Sequence, residues 1–393
     1  MSIYIAKRLK FPGDAIILRR KPSNVLNLYG FGEPLKLKPK KILMIMRKRH
    51  FLIIVLILGL SVTRAFAQEK QFNVGCIAFY NLENLYDTIN DPLTDDEEFT
   101  PQGTAKWNSQ KYNLKIRHMA EAIQSIGLDF TPDGAAVLGV AEVENREVLE
   151  DLVRMPAIAS RNYQIIHYHS PDRRGVDVAL LYQPKYFKPV NHKSYTLSIE
   201  GMPDFRTRDQ LVVSGDFDGE RIHIIVGHWP SRRGGEKRSM PLRMAAAKLS
   251  RHITDSLLMM DPQAKVIVMG DLNDNPTNKS LTEGLRAQGN QKDLKPGDLF
   301  NPMYALYQKG IGSNAWRDTW SLFDQIIISQ QWLNPDMSSY RFRTAKVHNK
   351  VELTQRSGRF KGYPWRTYVG GEFMGGYSDH FPSYIIIVKE HKP

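Results

Sequence analysis

Short apolar runs that end in an acid or an amide recur through this chain, and they constrain its fold more than any other feature. The clearest is Ala264–Met269, followed by Gly270-Asp271-Leu272-Asn273-Asp274. A short aliphatic run that stops at Gly-Asp reads as a buried strand delivering its last side chains to one edge of a sheet. Asp271 and Asn273 are two apart, so at a strand's mouth they point to the same side. A carboxylate beside a carboxamide suits a water that must be held and deprotonated: the first accepts the proton, the second fixes orientation. The same residues also suit a solvated turn, because Asp, Asn and Pro276 all favour turns. Other strand ends tip the balance.

Phe72–Tyr80 reads as a strand ending in Asn81-Leu82-Glu83-Asn84. Trp107–Ile126 has helical spacing of apolar positions and is closed by Gly127. The run Ala135–Ala141 ends at Glu142-Val143-Glu144-Asn145. An acid at the exit of a buried strand is costly unless paired or bound to a metal. Glu142 is the first acid and the better ligand candidate; Glu144 and Glu147 are read as acids at the positive end of the next helix. The acidic stretch Asp91–Glu98 reads as a solvated loop. Strands then follow at Tyr163–Tyr168, Val176–Tyr182, Gln210–Ser214 and Arg221–Val226, the last two joined by an Asp216–Gly219 turn as a hairpin. His167 and His169 share one strand face, as residues near a pocket or, alternatively, as zinc ligands.

The next strand ends at Gly227-His228-Trp229-Pro230-Ser231, with Arg232, Arg233, Lys237, Arg238 and Arg243 behind it and a helix over Pro241–Leu258. Asp324 opens a strand in Phe323–Ile328. Tyr340–Trp365 interleaves bases with Tyr340, Phe342, Phe360, Tyr363 and Trp365. It is either a groove for a phosphate chain with stacked bases or a solvated loop with packed aromatics. Ser378-Asp379-His380-Phe381-Pro382 precedes a last strand, Tyr384–Val388. Strands separated by helices in some places and by hairpins in others imply mixed sheets.

The formal net charge of +13 is misleading. Residues 1–67 hold 14 Lys/Arg against Asp14 and Glu33, which leaves 40 bases and 39 acids from Gln68 onward. The overall basicity therefore says nothing about a nucleic-acid partner for the main body. Arg47–His50, the apolar run Phe51–Leu60 and Ala65-Phe66-Ala67 have the order of a secretory signal peptide cut after Ala67. The run is shorter than the roughly 20 residues that span a bilayer. Residues 44–67 are thus expected to be a signal peptide and residues 1–43 an upstream extension from a misassigned start, with a cytoplasmic tail before an anchor as the rival reading. Residues 68–393, without repeat or linker, are expected to form one domain, monomeric, secreted or periplasmic, with no stable membrane anchor and no protein partner. Cys76, the only cysteine, excludes a disulfide framework and a Cys-based zinc site, and its apolar neighbours imply packing.

Acid-bearing strand ends, a late Asp-His pair and a second His near arginines suggest hydrolysis of a phosphate ester with a hard divalent ion. Oxygen ligands from Glu and Asn suit Mg²⁺, or Mn²⁺ or Ca²⁺, rather than zinc. At this point the chain resembles the endonuclease/exonuclease/phosphatase superfamily, of deoxyribonuclease I and exonuclease III type. The resemblance runs from about Phe72 to Val388 on FYNLEN, GVAEVEN, GVDVALLY, RTRD, GHWPS, GDLND, FDQIIIS and SDHFP, in the family's order. Any one of these is weak, and together they are specific.

The resemblance implies an α/β four-layered sandwich, two mixed sheets packed face to face and flanked by helices, with the site at one end. It places Asn81 and Glu83 at the first metal-side motif and Glu142 as the principal metal ligand. Asp271, with Asn273 beside it, would align or deprotonate the attacking water. His380 would donate to the scissile phosphate, oriented by Asp379. Asp324 would support the second His or the metal, and His228 would be that second His, a general acid for the leaving oxygen. Arg208, with Arg206 as competitor, matches a substrate-side Arg. Asp177 departs from many relatives and is either a pocket acid or a partner of Arg173 or Arg174. The long segment Tyr340–Tyr377 is where substrate choice is expected to lie.

Three functions follow. The first is a metal-dependent endonuclease on DNA or RNA, which GHWPS favours over monoester phosphatases. The second is a phosphodiesterase or phosphatase on a lipid head group, sugar phosphate or nucleotide, which the near-neutral main body keeps open because nonspecific nucleic-acid binding draws on many cationic contacts. The third is a non-catalytic binding protein on the same fold, at odds with the retention of every proposed catalytic side chain.

Overall fold

In a computed structural model, residues 71–391 are described, and the expected signal peptide and upstream extension lie outside them. Lys70–Pro393 forms one compact unit. The apolar runs become two sheets. The first has the order β14 (Arg341–Val347), β17 (Ser383–Glu390), β1 (Phe72–Leu85), β2 (Val137–Val143), β4 (Asp177–Tyr182), β3 (Gln164–His167). The second has the order β5 (Phe187–Tyr195), β6 (Gln210–Phe217), β7 (Glu220–His228), β8 (Lys265–Asp271), β13 (Asp324–Ser329), β10 (Leu299–Phe300), β9 (Ala287–Gln288). Two small hairpins stand apart, β11–β12 (Asn314–Trp316, Thr319–Ser321) and β15–β16 (Tyr368–Val369, Glu372–Phe373). Both large sheets are mixed, as expected: β1 runs parallel to β2 and β7 to β8, while most other neighbours are antiparallel.

The sheets pack face to face, because their strands are apolar on both sides. One core cluster takes Ile77, Phe79, Leu138 and Ile386 from the first sheet and Val213, Ile224, Val226, Met269 and Ile326 from the second. Gly139 is needed at this seam: a Cβ there would stand 2.7 Å from Met269 Sδ and 3.2 Å from Val226 and Phe79. Helix α1 (Ser109–Ser125) is capped by Asn108, which accepts from the Gln110 and Lys111 N–H groups, and turns Ile116, Met119 and Ile123 into the same core. The short α2 (Arg146–Arg154) is capped by Asn145. Helix α3 (Glu236–Met260) buries Ala246, Ala247, Ile253 and Leu257 against Ile225, Val266 and Val268 of the second sheet.

Some expectations change. Helix α3 begins before Pro241, with the Ser239 hydroxyl bonded to the Gly235 carbonyl. Glu144 does not cap α2; it is buried and accepts the Asp87 N–H at 2.6 Å. Arg341–Val347, within the basic and aromatic segment, is an edge strand, and Tyr340 is buried beneath it.

Candidate active site

Strand register brings the site together. Asn81 lies opposite Ala141 in the parallel β1–β2 pair, so Asn81 and Glu142 leave their strands at the same edge. In the second sheet His228 lies opposite Asp271 on one side, and Asp324 opposite Asp271 on the other. His228, Asp271 and Asp324 thus stand on three adjacent strands. His380 precedes β17, which runs antiparallel to β1 and so starts at the same edge.

Irregular backbone aims the remaining groups. Glu83 (φ 50°), Asn84 (52°), Glu142 (59°) and Asn273 (52°) are non-glycine residues in the left-handed region. Each such residue costs roughly 1–3 kcal/mol and persists where surrounding structure holds it. The β2–β4 register shifts between Ala141 and Val143, a bulge that takes Glu142 out of the ladder and into the cleft wall. The Asn84 N–H donates to Glu142 Oε2 at 3.0 Å, so two strained segments hold each other.

Asp271 is the centre of the group. Its Oδ2 accepts from Asn81 Nδ2 at 3.1 Å and lies 3.5 Å from His228 Nε2 and 3.9 Å from His380 Nε2. Its Oδ1 accepts the Asn273 N–H at 3.0 Å, and Asn273 Nδ2 donates to the Trp229 carbonyl. Burial above all, with Asp324 and Glu142 nearby, outweighs His380 and pushes the Asp271 carboxyl up to about 7. A carboxylate poised there is suited to take a proton at neutral pH.

The two imidazoles are in opposite states. Burial works against charge on His380, but Asp324, Asp379 and Asp271 outweigh it and hold the ring well above the ordinary histidine value. Burial, together with Arg208, Arg174 and the charged His380, holds His228 well below it. Burial and the neighbouring cations thus disfavour charge on His228, against the two carboxylates nearest its Nε2, Asp271 at 3.5 Å and Glu142 at 3.8 Å, whereas His380 is the ring whose surroundings favour the charged form. The residue orienting His380 also differs from expectation. Asp324 Oδ2 meets His380 Nδ1 at 2.6 Å, whereas Asp379 Oδ1 is 3.8 Å from Nε2 and only partly buried, with Arg366 beside it.

Around this cluster lies a cleft of about 480 Å³, lined by Glu142, Arg174, Arg206, Arg208, His228, Asp271, Asn273 and His380 among others. Arg208 is buried, held by Asp172 at 3.1 Å and by the Trp229 carbonyl at 2.8 Å. Arg206 is exposed at the rim, its guanidinium bonded to the Pro203 carbonyl. Asp177 lies outside the cleft lining and pairs with neither Arg173 nor Arg174. Its Oδ2 is 2.8 Å from His167 and 3.3 Å from His169, while Ser170 holds its Oδ1 through N–H and hydroxyl. His167, His169 and Asp177 are spaced so that they could hold an ion.

Glu83 departs most from expectation. Its Oε2 accepts from the Thr367 N–H and hydroxyl, both at 2.7 Å, and pairs with buried Lys115 at 3.4 Å. That oxygen ties β1 to α1 and to the loop before β15 rather than serving a metal. Lys115 was legible after all: it shares a helix face with Met119, Ala122 and Ile126, an apolar face on which a lysine must find a partner. Arg174, which lies 3.9 Å from Glu142 and 3.7 Å from Asp172, had no signal that set it apart from Arg173.

The endonuclease/exonuclease/phosphatase family is matched over residues 76–389, which takes in every strand end named above. The chain belongs to this family. Its members are divalent-metal-dependent phosphoester hydrolases. No curated protein matches the chain. Among solved structures, a family member from Bacteroides thetaiotaomicron shares 18% identity, with 82% of this chain and 100% of that one covered and a TM-score of 0.49. A mannosyl-6-phosphatase from the same organism shares 18%, covering 80% and 99%, at 0.49. A humanised D. rerio TDP2 shares 15%, covering 80% and 98%, at 0.48.

The side chains present fit a hard divalent ion of the kind this family uses. Glu142 Oε1 faces the cleft with His228 Nε2 at 3.8 Å and Arg174 Nη2 at 3.9 Å, beyond hydrogen-bond reach. Asn81 Oδ1 accepts the Glu83 N–H at 2.9 Å and keeps a second lone pair. Such oxygen donors suit Mg²⁺, Mn²⁺ or Ca²⁺. Glu142 would hold the ion, with Asn81 beside it. When bound, the ion supplies positive charge against the oxygens of a phosphoester.

Proposed function

We propose that this protein is a secreted or periplasmic Mg²⁺-dependent phosphodiesterase that hydrolyses nucleic acid as an endonuclease. One arrangement carries the reading: the buried Asp271, its carboxyl pushed up to about 7, has Oδ2 3.5 Å from His228 Nε2 and 3.9 Å from His380 Nε2. Asp271 takes a proton from the attacking water, with Asn273 holding the turn that positions it. His380, kept charged by Asp324, donates toward the phosphate oxygens, where negative charge grows during in-line attack. His228 lines the same cleft, its Nε2 toward Asp271 and Glu142, and Arg208 and Arg174 add fixed positive charge to the cleft wall. The order Arg47–Ala67 supports export, and a mature amino terminus at Gln68 is the corresponding expectation.

A second reading, a phosphodiesterase or phosphatase on a lipid head group or sugar phosphate, is favoured by the near balance of 40 bases and 39 acids after residue 67. The test is the product spectrum on plasmid DNA, RNA, sphingomyelin and a chromogenic phosphate ester, with Mg²⁺ or EDTA. Cleavage of DNA or RNA by the wild type, lost in EDTA and lowered about 10²–10³-fold in Glu142→Gln, is expected. Turnover of the lipid alone would reject the nuclease reading, and no turnover of any substrate would reject an enzyme.

A further inference from the structure

A second cavity, of about 360 Å³, is lined by Trp316, Arg317, Arg359, Phe360, Tyr363 and Arg366 among others; a further cavity shares Arg366 with it and Arg174 with the catalytic cleft. Its size falls in the range of roughly 300–1,000 Å³ common for small-ligand sites. One wall is the β11–β12 hairpin, and that hairpin is fastened to the catalytic end of the chain. Asn314 bridges to His380, and its Nδ2 donates to the Asp379 carbonyl at 3.0 Å. The Phe381 N–H donates to the Ser313 carbonyl at 2.7 Å, and Trp320 stacks on Phe381. Arg366 joins the two regions: it lines this cavity and an adjoining one with Asp379, and pairs with Asp379 at 3.5 Å.

The surfaces of this cavity are unusual. Trp316 is 64% exposed, so its indole is open to a ring placed against this wall of the cavity. The hairpin tip holds Arg317 (φ 48°) and Asp318 (φ 61°) both in the left-handed region, as a two-residue turn requires but without the Gly or Asn that relieves it. Tyr363 crosses from the other wall, accepting the Asp318 N–H at 2.7 Å and donating to its carboxylate. Arg317 lies over Trp316 and Arg359 over Phe360, at 5.6 and 5.7 Å from the ring centroids. Among the lining residues, three guanidiniums stand against one carboxylate, Asp318, already bonded to Tyr363. Aromatic faces with a cationic rim match a planar ring carried on an anionic chain.

We propose that this cavity is the subsite for an aromatic ring, a nucleobase or a phenol, attached to the phosphoester held in the catalytic cleft. It selects ring-bearing phosphodiesters over ring-free ones. The inference rests on the cleft being a phosphodiesterase site, so its test includes binding read without turnover. Thymidine 5′-monophosphate, phenyl phosphate and ribose 5-phosphate are titrated calorimetrically, in EDTA, into the wild type, Trp316→Ala and Phe360→Ala. The wild type is expected to bind at least one ring-bearing phosphate about tenfold more tightly than ribose 5-phosphate, and each variant to lose most of that preference. Preference for thymidine monophosphate identifies a nucleobase, and preference for phenyl phosphate a phenol. In kinetics, KM for a dinucleotide or bis(p-nitrophenyl) phosphate rises about tenfold in the variants with kcat within twofold, while a ring-free diester such as glycerophosphocholine is unaffected. Equal wild-type affinity for ring and ring-free phosphates, or a preference that survives both variants, overturns the proposal. Ring binding without hydrolysis of any phosphodiester would instead reject the function proposed above.

Discussion

Replacing Asp324 with Asn isolates what keeps His380 charged. Asp324 is fully buried, its Oδ2 2.6 Å from His380 Nδ1, and the ring is nearly as buried. Charge centres about 4 Å apart interact by about 4 kcal/mol at an effective dielectric near 20. Removing that attraction should let the imidazolium lose its proton at lower pH in Asp324→Asn, because Asp324 is the first of the carboxylates that hold the ring charged. Asparagine keeps the shape and a hydrogen bond, so folding is expected to survive. If a charged His380 is required, activity is lost as pH rises through its pKa. The alkaline limb of kcat/KM should therefore move toward acid. The rate near pH 7 should fall about 10²–10³-fold, the usual cost of losing one charge at a phosphoryl or acyl centre. Proton NMR titration of the His380 ring reads the pKa directly, and Ser313→Ala, which removes a second donor to Asp324 Oδ2, should shift it less. An unchanged midpoint in Asp324→Asn, or an unchanged alkaline limb, would refute the argument.

Three further outcomes are expected. The acid limb of kcat/KM should have its midpoint about 7, rising with pH because Asp271 must be ionised to accept a proton; a midpoint near the ordinary aspartate value of about 4 would remove Asp271 as the base. Burial, aided by Lys350, lowers His348 from 6.5 to about 4 in the folded protein, so its contribution to stability is intact above pH 6.5 and lost as pH falls to 4. The loss is up to roughly 3 kcal/mol at about 1.4 kcal/mol per pH unit, and urea melts check it: the stability difference between wild type and His348→Gln should change by that amount between pH 6.5 and 4, and no change in the difference would refute it. Arg243, fully buried and 2.8 Å from Asp274 Oδ1, anchors the loop after β8; Arg243→Ala should cost about 3–5 kcal/mol in chemical denaturation because Asp274 is left with less compensation.

How much was legible in the sequence follows from the range of each force. Strand ends at Asn81, Glu142, His228, Asp271, Asp324 and His380 were readable because apolar periodicity and turn chemistry are local. Once strands of that pattern pair, register brings their ends to one edge. Long-range pairing of charges was not readable. Nothing near His380 in the chain singles out Asp324 over the adjacent Asp379, because the choice depends on β13 lying opposite β8. Nor does sequence spacing place Glu83 against Lys115 and Thr367, residues 32 and 284 positions away.

Protonation states lie furthest from the sequence. His228 and His380 are the same side chain, yet their surroundings push one toward the neutral form and the other toward the charged form. Burial removes water's support from both rings equally in kind; the sign of the surrounding charge decides the result, arginines for His228 and carboxylates for His380. The amino-acid order by itself determined which residues reach the catalytic edge, through short-range strand and turn preferences. Only the folded arrangement decided which of them touch and which hold a proton, because Coulomb forces in a dry cleft act between neighbours in space.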